Sequence, residues 1–320
     1  MIFPPKYNRA AKRKRGEPIS VPMRLMRFQG DMLKTLSSIL MSSVTGHKAP
    51  QNSIDEIHDV TVQLPAPDAE LLLHYRKWVS HSVQTENGQQ FQTDRQYLPS
   101  HLFSQFALSV CAEQLKLLPF QLSKVINQGV GMTVLHPIPT QQDLTVTCKL
   151  VDVKETDGKA RVHQELIIGT QQQPRCCIVD FHTVFIQGKP SLKVVSEKPA
   201  TPEVAPIGQW QVATNDGWNF ALLTGDFNPI HWFGFIAKFS PFKQKVLHGF
   251  GMFTRSVTTL EHYFASSVNN INVRFVKPAA LNNQHVTVCA SDVSEEGKRY
   301  FELRDEANNV LMVGDFSIAS

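Results

Sequence analysis

The chain has no apolar run approaching the ~20 residues that a bilayer span requires. Its most apolar stretch, Leu247 to Val257, is interrupted by His248, Gly249, Gly251, Thr254 and Arg255 and reads as a buried helix. No Cys-x-x-Cys occurs, and the cysteines (Cys111, Cys148, Cys176, Cys177 and Cys289) are odd in number and sit mostly in apolar, strand-like contexts. That is the usage of small buried hydrophobes in a reducing compartment, not of a disulfide framework, and it predicts a cytoplasmic protein. The histidines form no His-Glu-x-x-His or other ligand-spaced cluster, so no metal site is expected. Gly-x-Ser-x-Gly is missing, which removes the serine-hydrolase elbow. Gly129-x-Gly131 and Gly249-x-Gly251 lack the third glycine and the preceding strand of a dinucleotide loop. Acidic residues are missing from the start of the chain, where Lys6, Arg9, Lys12, Arg13, Lys14 and Arg15 precede the first of them, Glu17. No apolar core and cleavage site follow, so this block is not a secretory signal. It reads as a solvated basic tail, with phosphates or an anionic membrane face as the alternative partner.

What is present is a soluble globular composition, 42% hydrophobic and 19% charged, long enough for two domains. Four prolines (Pro190, Pro199, Pro202, Pro206) mark a linker over residues 191–207, since proline lacks a backbone donor and fixes its own φ. The expected organisation is a basic tail and helix over 1–50, one half over 51–190, the linker, and a second half over 208–320. The halves resemble each other. Pro137 precedes DLTVTCKLVDV, a turn ending Gly158-Lys159, then RVHQELII and CCIVDFHTVFI. Pro278 precedes HVTVCASDV, a turn ending Gly297-Lys298, then RYFELRD and VLMVGDFSI. β-Branched runs separated by glycine turns predict antiparallel meanders. Each is preceded by one helix: Phe250, Phe253, Val257, Leu260 and Phe264 are helically spaced over about 249–264, and Leu102, Phe106, Val110 and Leu115 do the same in the first half. The class is α+β by internal duplication. The segment Ile19 to Val44 also has helical periodicity.

The chemistry concentrates in Thr224-Gly225-Asp226-Phe227-Asn228-Pro229-Ile230-His231. Gly225 permits a tight approach and Asn228-Pro229 halts a helix, so Asp226 and His231 sit on an irregular loop that can turn both side chains toward one point. A carboxylate and an imidazole converging on one water make a general acid/base pair.

FALLTGDFNPIH resembles the hydratase-2 motif of the MaoC-like dehydratases, and His248-Gly249 in KVLHGFGMF and Arg274 to Pro278 (RFVKP) resemble two further elements of that family. LPAPDAELLLHYRKWV and YLPSHLFSQFALSV extend the likeness, more weakly, into the first half. The resemblance implies a double hot-dog fold, each half a long helix packed on a curved antiparallel sheet. It implies reversible addition of water across the 2,3 bond of an enoyl thioester to give an (R)-3-hydroxy product. On that reading Asp226 and His231 are catalytic, Asn228 braces the loop, His248 supports it, and the Gly249 N–H receives the thioester enolate. Trp232 and Phe233, which depart from the family pattern, wall the acyl pocket, and Arg274 and Lys277 are candidates for the carrier's phosphates. The first half has Pro99-Ser100 where His-Gly would stand, which leaves one site per chain. No cofactor is implied beyond the thioester carrier, coenzyme A or acyl carrier protein. No nucleic acid is expected, and a homodimer is left open. The rival readings are a thioesterase of the same fold and a non-catalytic acyl-thioester-binding protein.

Overall fold

The computed structural model describes residues 18–30, 32–35, 56–91, 94–122, 125–156, 158–188 and 202–319. The basic block 6–15, residues 191–201 of the expected linker, and Leu36, Ile39 and Leu40 of the expected N-terminal helix lie outside the described residues.

The first half runs β1 (Val60–Leu64), α1 (Ala69–Val79), β2 (Gln84–Thr85), a 3-10 turn at Ser100–Phe103 leading into α2 (Ser104–Leu115), then β3 (Val125–Val134), β4 (Leu144–Thr156), β5 (Lys159–Gly169) and β6 (Cys177–Ile186). The second runs β7 (Ala205–Gln211), α3 (Asp216–Thr224), a 3-10 turn at Pro229–His231, α4 (Gly234–Phe239), α5 (Gly249–Phe264), β8 (Val268–Phe275), β9 (His285–Ala290), β10 (Arg299–Asp305) and β11 (Val310–Ile318). All strands join one antiparallel sheet in the order β1-β4-β5-β6-β3-β8-β11-β10-β9-β7-β2. From the β3–β8 junction outward the series is 3-6-5-4-1 one way and 8-11-10-9-7 the other, the same meander twice.

The duplication extends to detail. Ser100–Leu115 and Gly249–Phe264 are helical stretches of equal length, the first opening as a 3-10 turn. Gly158 and Gly297, which end the matched turns, both have positive φ. Gly129 and Gly131 lie in β3 at the junction, opposite Arg274 and Asn272 of β8.

Side chains alternate along each strand, so one face is buried: Leu144, Val146 and Cys148 of β4 are inside while their neighbours are not. α5 is buried from Phe250 to His262, because both halves pack on it. Phe103, ahead of α2, lies 5.9 Å from Phe250 and 5.7 Å from Phe253 between ring centroids, and so locks the two long helices together. At the N-terminus the helical segment expected there opens as a 3-10 helix (Met23–Gln29) and passes into α-helical residues at 30 and 32–35. Extended chain before it docks on α3: the Val21 N–H donates to Asn219 Oδ1 (3.0 Å) and Asn219 Nδ2 donates to the Ile19 carbonyl (2.8 Å). Leu25 is fully buried there.

The second half begins earlier than expected, with Pro206 inside β7. This is compatible with proline because β2 pairs only with Gly208 and Gln209, and the register shifts between Pro206 and Gly208. The missing N–H therefore falls at a bulge beyond the reach of the edge strand.

Candidate active site

α3 ends at Gly225, whose φ of 81° places it in the left-handed region while its N–H donates to the Ala221 carbonyl (2.8 Å). That cap turns the chain sharply and releases Asp226 into a loop. Asn228 then caps the 3-10 turn Pro229–His231, its Oδ1 accepting the Ile230 N–H (3.3 Å) with proline at the first position. Its own N–H donates weakly to Asp226 Oδ1 (3.4 Å). Two opposed turns within five residues bring Asp226 and His231 back to one side, where they meet His248 at the entry to α5. One donor atom from each of the three lies within 4.8 Å of the others.

Hydrogen bonding assigns the protons. His231 Nδ1 lies 2.7 Å from the Val246 carbonyl, which can only accept, so Nδ1 carries the hydrogen and Nε2 of the neutral ring is left as a base. His248 Nε2 likewise donates to the Asp226 carbonyl (2.9 Å), and its ring stacks on His231 with centroids 3.6 Å apart. Burial raises the Asp226 carboxyl above 3.8, opposed by the His231 charge and the Asn228 N–H. Burial lowers His231 below 6.5, opposed by Asp226 and the Val246 carbonyl. His248 is lowered much further, by burial and then by His231. At neutral pH both imidazoles are therefore neutral, and burial increases the basicity of the Asp226 carboxylate beside them. Asp226 keeps 22% of its side chain exposed, enough for a small reactant to reach it.

The three groups also form a donor set of the kind that binds a divalent cation, a cluster that sequence spacing did not reveal. Stacked rings direct their in-plane lone pairs side by side instead of toward one point, and the His231 and His248 bonds already commit Nδ1 and Nε2 respectively. The arrangement suits proton transfer better than ligation.

The other expected residues separate into two groups. The Gly249 N–H is in the first turn of α5, where amide donors have no intrahelical partner and the dipole is positive. A side chain there would press on the Phe275 ring at 3.1 Å. Trp232 donates from Nε1 to the Phe227 carbonyl (3.1 Å) and meets Trp218 edge-on at 5.2 Å, so it walls the loop. Phe233 is 47% exposed and points out of that wall. Arg274 and Lys277 are not brought to the cluster. Phe275 of β8 faces Gly249, so strand alternation turns Arg274 to the outer face. Lys277 is exposed; burial raises the Asp305 carboxyl, and hydrogen bonds from Asn309, with Lys277 adding to them, bring it below its ordinary value.

Sequence reasoning missed two positioning residues. A Cβ on Gly217 would lie 1.9 Å from the His231 carbonyl oxygen, so only glycine lets α3 abut the loop that bears Asp226 and His231. Its signal was a glycine in the first turn of a helix, against propensity. The second is Arg255, fully buried on α5, which grips Asp216 with two hydrogen bonds (3.0 and 3.1 Å) and lies 4.1 Å from the Trp78 ring. Asp216 also accepts from Trp78 Nε1 (2.8 Å) and the Ala213 N–H (2.8 Å). This hub pins the start of α3, and hence the loop at its end, to α1, α5 and β7.

Elsewhere, a cavity of about 710 Å³ lined by Pro99, His101, Thr258, Glu261 and His262 contains none of the cluster. It lies at the start of the first half's helical stretch and the end of α5, where exchange of the two halves would carry the Asp226 site. His101 there is pushed down to about 3 by burial, and its Nδ1 pairs with the Tyr75 hydroxyl (2.8 Å). Glu261, 6% exposed, accepts the Val268 N–H (3.2 Å), and burial raises its carboxyl to about 7 from 4.5. A raised folded value means its contribution is fully present below pH 4.5 and is lost as pH rises through about 7. Glu261→Gln keeps the acceptor and removes the titration. It is expected to be more stable than wild type at pH 8 by about 3 kcal/mol and equal to it near pH 4.5, as read by urea unfolding. Equal midpoints at pH 8 would mean that the carboxyl ionises there without penalty.

Three comparisons bear on this geometry. Residues 193–310 match the family described as MaoC like domain. The peroxisomal hydratase-dehydrogenase-epimerase of Neurospora crassa is 26% identical over 221 residues, 61% of this chain and 24% of that protein, so the chain spans about a quarter of the curated relative. The MaoC-like dehydratase of Phytophthora capsici superposes with a TM-score of 0.65 at 16% identity, over 84% of this chain and 98% of that one. HtdX of Mycobacterium tuberculosis does so with 0.62 at 18% identity, over 82% and 100%. The loop bearing Asp226 and His231, the helix opened by His248-Gly249 and the paired meanders thus belong together: the fold is a double hot dog, and its second half, over residues 193–310, matches the MaoC like domain.

Proposed function

We propose that the chain is an (R)-specific enoyl-thioester hydratase or 3-hydroxyacyl-thioester dehydratase of fatty acyl metabolism. Its substrate is carried on coenzyme A or acyl carrier protein, and it needs no other cofactor. The observation that carries this reading is the orientation of His231, with Nδ1 held by the Val246 carbonyl and Nε2 left basic beside the Asp226 carboxylate at the mouth of α5. Water held between these two groups loses a proton to them as its oxygen bonds to C3. The 2,3 π pair moves to C2 and the thioester oxygen, where the Gly249 N–H and the positive end of α5 meet the charge. A donor so placed is worth ~3 kcal/mol in the transition state. The proton then returns to C2, and dehydration is the reverse. The buried thiols suit the cytoplasm, and the name of the Neurospora relative makes the peroxisome the second candidate.

The test is to mix the protein with trans-2-enoyl-CoA of short, medium and long chain and follow loss of the conjugated double bond. The expected result is loss with a 3-hydroxyacyl product of (R) configuration, unchanged by a chelator. Release of free thiol would identify a thioesterase, and inertness toward every coenzyme A and carrier-protein substrate would overturn the reading. Activity requires Asp226 ionised and His231 neutral. Because burial lowers His231, the fall in kcat/KM that follows its protonation is expected to be centred below pH 6.5. An acid limb centred above 6.5 would show that His231 is not the buried base described.

A further inference from the structure

Immediately after His231 the chain becomes apolar on its outside. Phe235 and Phe239 of α4 are 64% and 78% exposed, and Phe233, Ile236 and Phe242 add to the same region. The rings form a continuous ladder. It runs from Phe227, beside Asp226, to Trp218 (5.9 Å), Trp232 (5.2 Å), Phe233 (6.0 Å), Phe235 (6.4 Å) and Phe239 (5.2 Å). Folding does not bury the outer half of this ladder, and a contiguous exposed apolar patch of this kind marks an interaction surface. Its charge has one sign. Lys238 and Lys243 are exposed within it and Lys245 flanks it, while no Asp or Glu occurs between Asp226 and Glu261.

We propose that α4 and the loop after it dock the protein on an anionic lipid bilayer. Phe235, Phe239 and Phe242 enter the boundary between headgroups and acyl chains, and Lys238 and Lys243 meet lipid phosphates. Aromatic side chains ringed by lysine are the composition of an interfacial anchor, each lysine adding an attraction that decays within a Debye length. A second copy of this chain fits the face poorly, since two-fold pairing sets the patch against itself and faces lysine with lysine, with no acid to offset it. A protein partner's interface core would be depleted in lysine. Docking itself does not depend on the proposed reaction. If the acyl-thioester reading holds, the ladder leads from the membrane to the catalytic loop, so an acyl chain leaving the lipid would meet apolar surface throughout.

The experiment is vesicle co-sedimentation of the full chain on phosphatidylcholine, with and without phosphatidylglycerol. Binding is expected to the anionic vesicles and to weaken with added salt. The double variant Phe235→Ser with Phe239→Ser is expected to lose it about tenfold or more, and Lys238→Glu with Lys243→Glu similarly. Thermal unfolding should be unchanged in both, because the side chains are outside the core. If the serine variant binds as wild type does, the anchor lies elsewhere, for instance in the basic N-terminal block, and the proposal fails. It also fails if wild type ignores anionic vesicles. A dimer in sedimentation that the serine variant converts to monomer, without vesicle binding, would assign the face to a second copy.

Discussion

Asp226→Asn is expected to reduce kcat/KM for enoyl-thioester hydration by roughly 10²- to 10⁴-fold, the range of a positioned acid/base group. The replacement is isosteric. It removes the negative charge and the second proton acceptor beside His231 Nε2, and disturbs two long contacts, from the Asn228 N–H at 3.4 Å and from His248 Nε2 at 3.9 Å. Fold and thermal stability should therefore be preserved, and the loss should fall on kcat more than on KM. His231→Ala is expected to cost as much. It also leaves the Val246 carbonyl unpaired and His248 without its stacked neighbour, which makes it the less clean variant. Because both groups act on one water, the double variant should be little worse than either single one. Activity of Asp226→Asn within a few-fold of wild type would remove the carboxylate from the chemistry. Additive losses would show that the two residues act in separate steps.

The second large effect is on stability. Asp216→Ala is expected to destabilise the fold by about 3–5 kcal/mol, the cost of leaving a buried charge without its partner. Arg255 is fully buried, with Trp78 and Trp210 on its faces. The carboxylate of Asp216 supplies both of its charged hydrogen bonds, a further acceptor being the Gln211 carbonyl (2.8 Å). Removing Asp216 also strands Trp78 Nε1 and the Ala213 N–H. Adding Arg255→Met, which withdraws the unpaired guanidinium, should recover part of the loss. Urea midpoints of wild type and the two variants decide the matter. If the double variant is no more stable than Asp216→Ala, the damage comes from the stranded tryptophan and amide and not from the charge.

Much of this architecture was legible in the chain. Period-2 runs closed by Gly158-Lys159 and Gly297-Lys298 predicted the meanders, and the stripe Phe250, Phe253, Val257, Leu260 predicted α5 at its observed bounds. These signals are local: alternation and helical periodicity follow from backbone geometry over a few residues. The boundary near Pro206 was misread, because whether proline fits a strand depends on which neighbour reaches it, and that neighbour, β2, comes from the other half of the chain. The N-terminal segment is helical over residues 23–30 and 32–35, as its period predicted, but its 3-10 opening depends on distant partners. Hydrogen bonds to Asn219 and Leu222 of α3 hold Ile19 to Val21 extended and Gln29 at the end of the 3-10 helix.

The sequence by itself determined the kind of fold and the residues able to do chemistry, because periodicity, caps and a short motif are written in neighbouring positions. Only the tertiary structure decided which of those residues meet. It stacked His248 on His231 beside Asp226, turned Arg274 to the outer face, and made Gly217 and Arg255 the supports of the loop that bears Asp226 and His231. Proton positions, burial and stacking arise from contacts between segments far apart in the chain. The free energy of a buried carboxylate or imidazole depends on what surrounds it in space, and that surrounding exists only once the two halves have packed on α5.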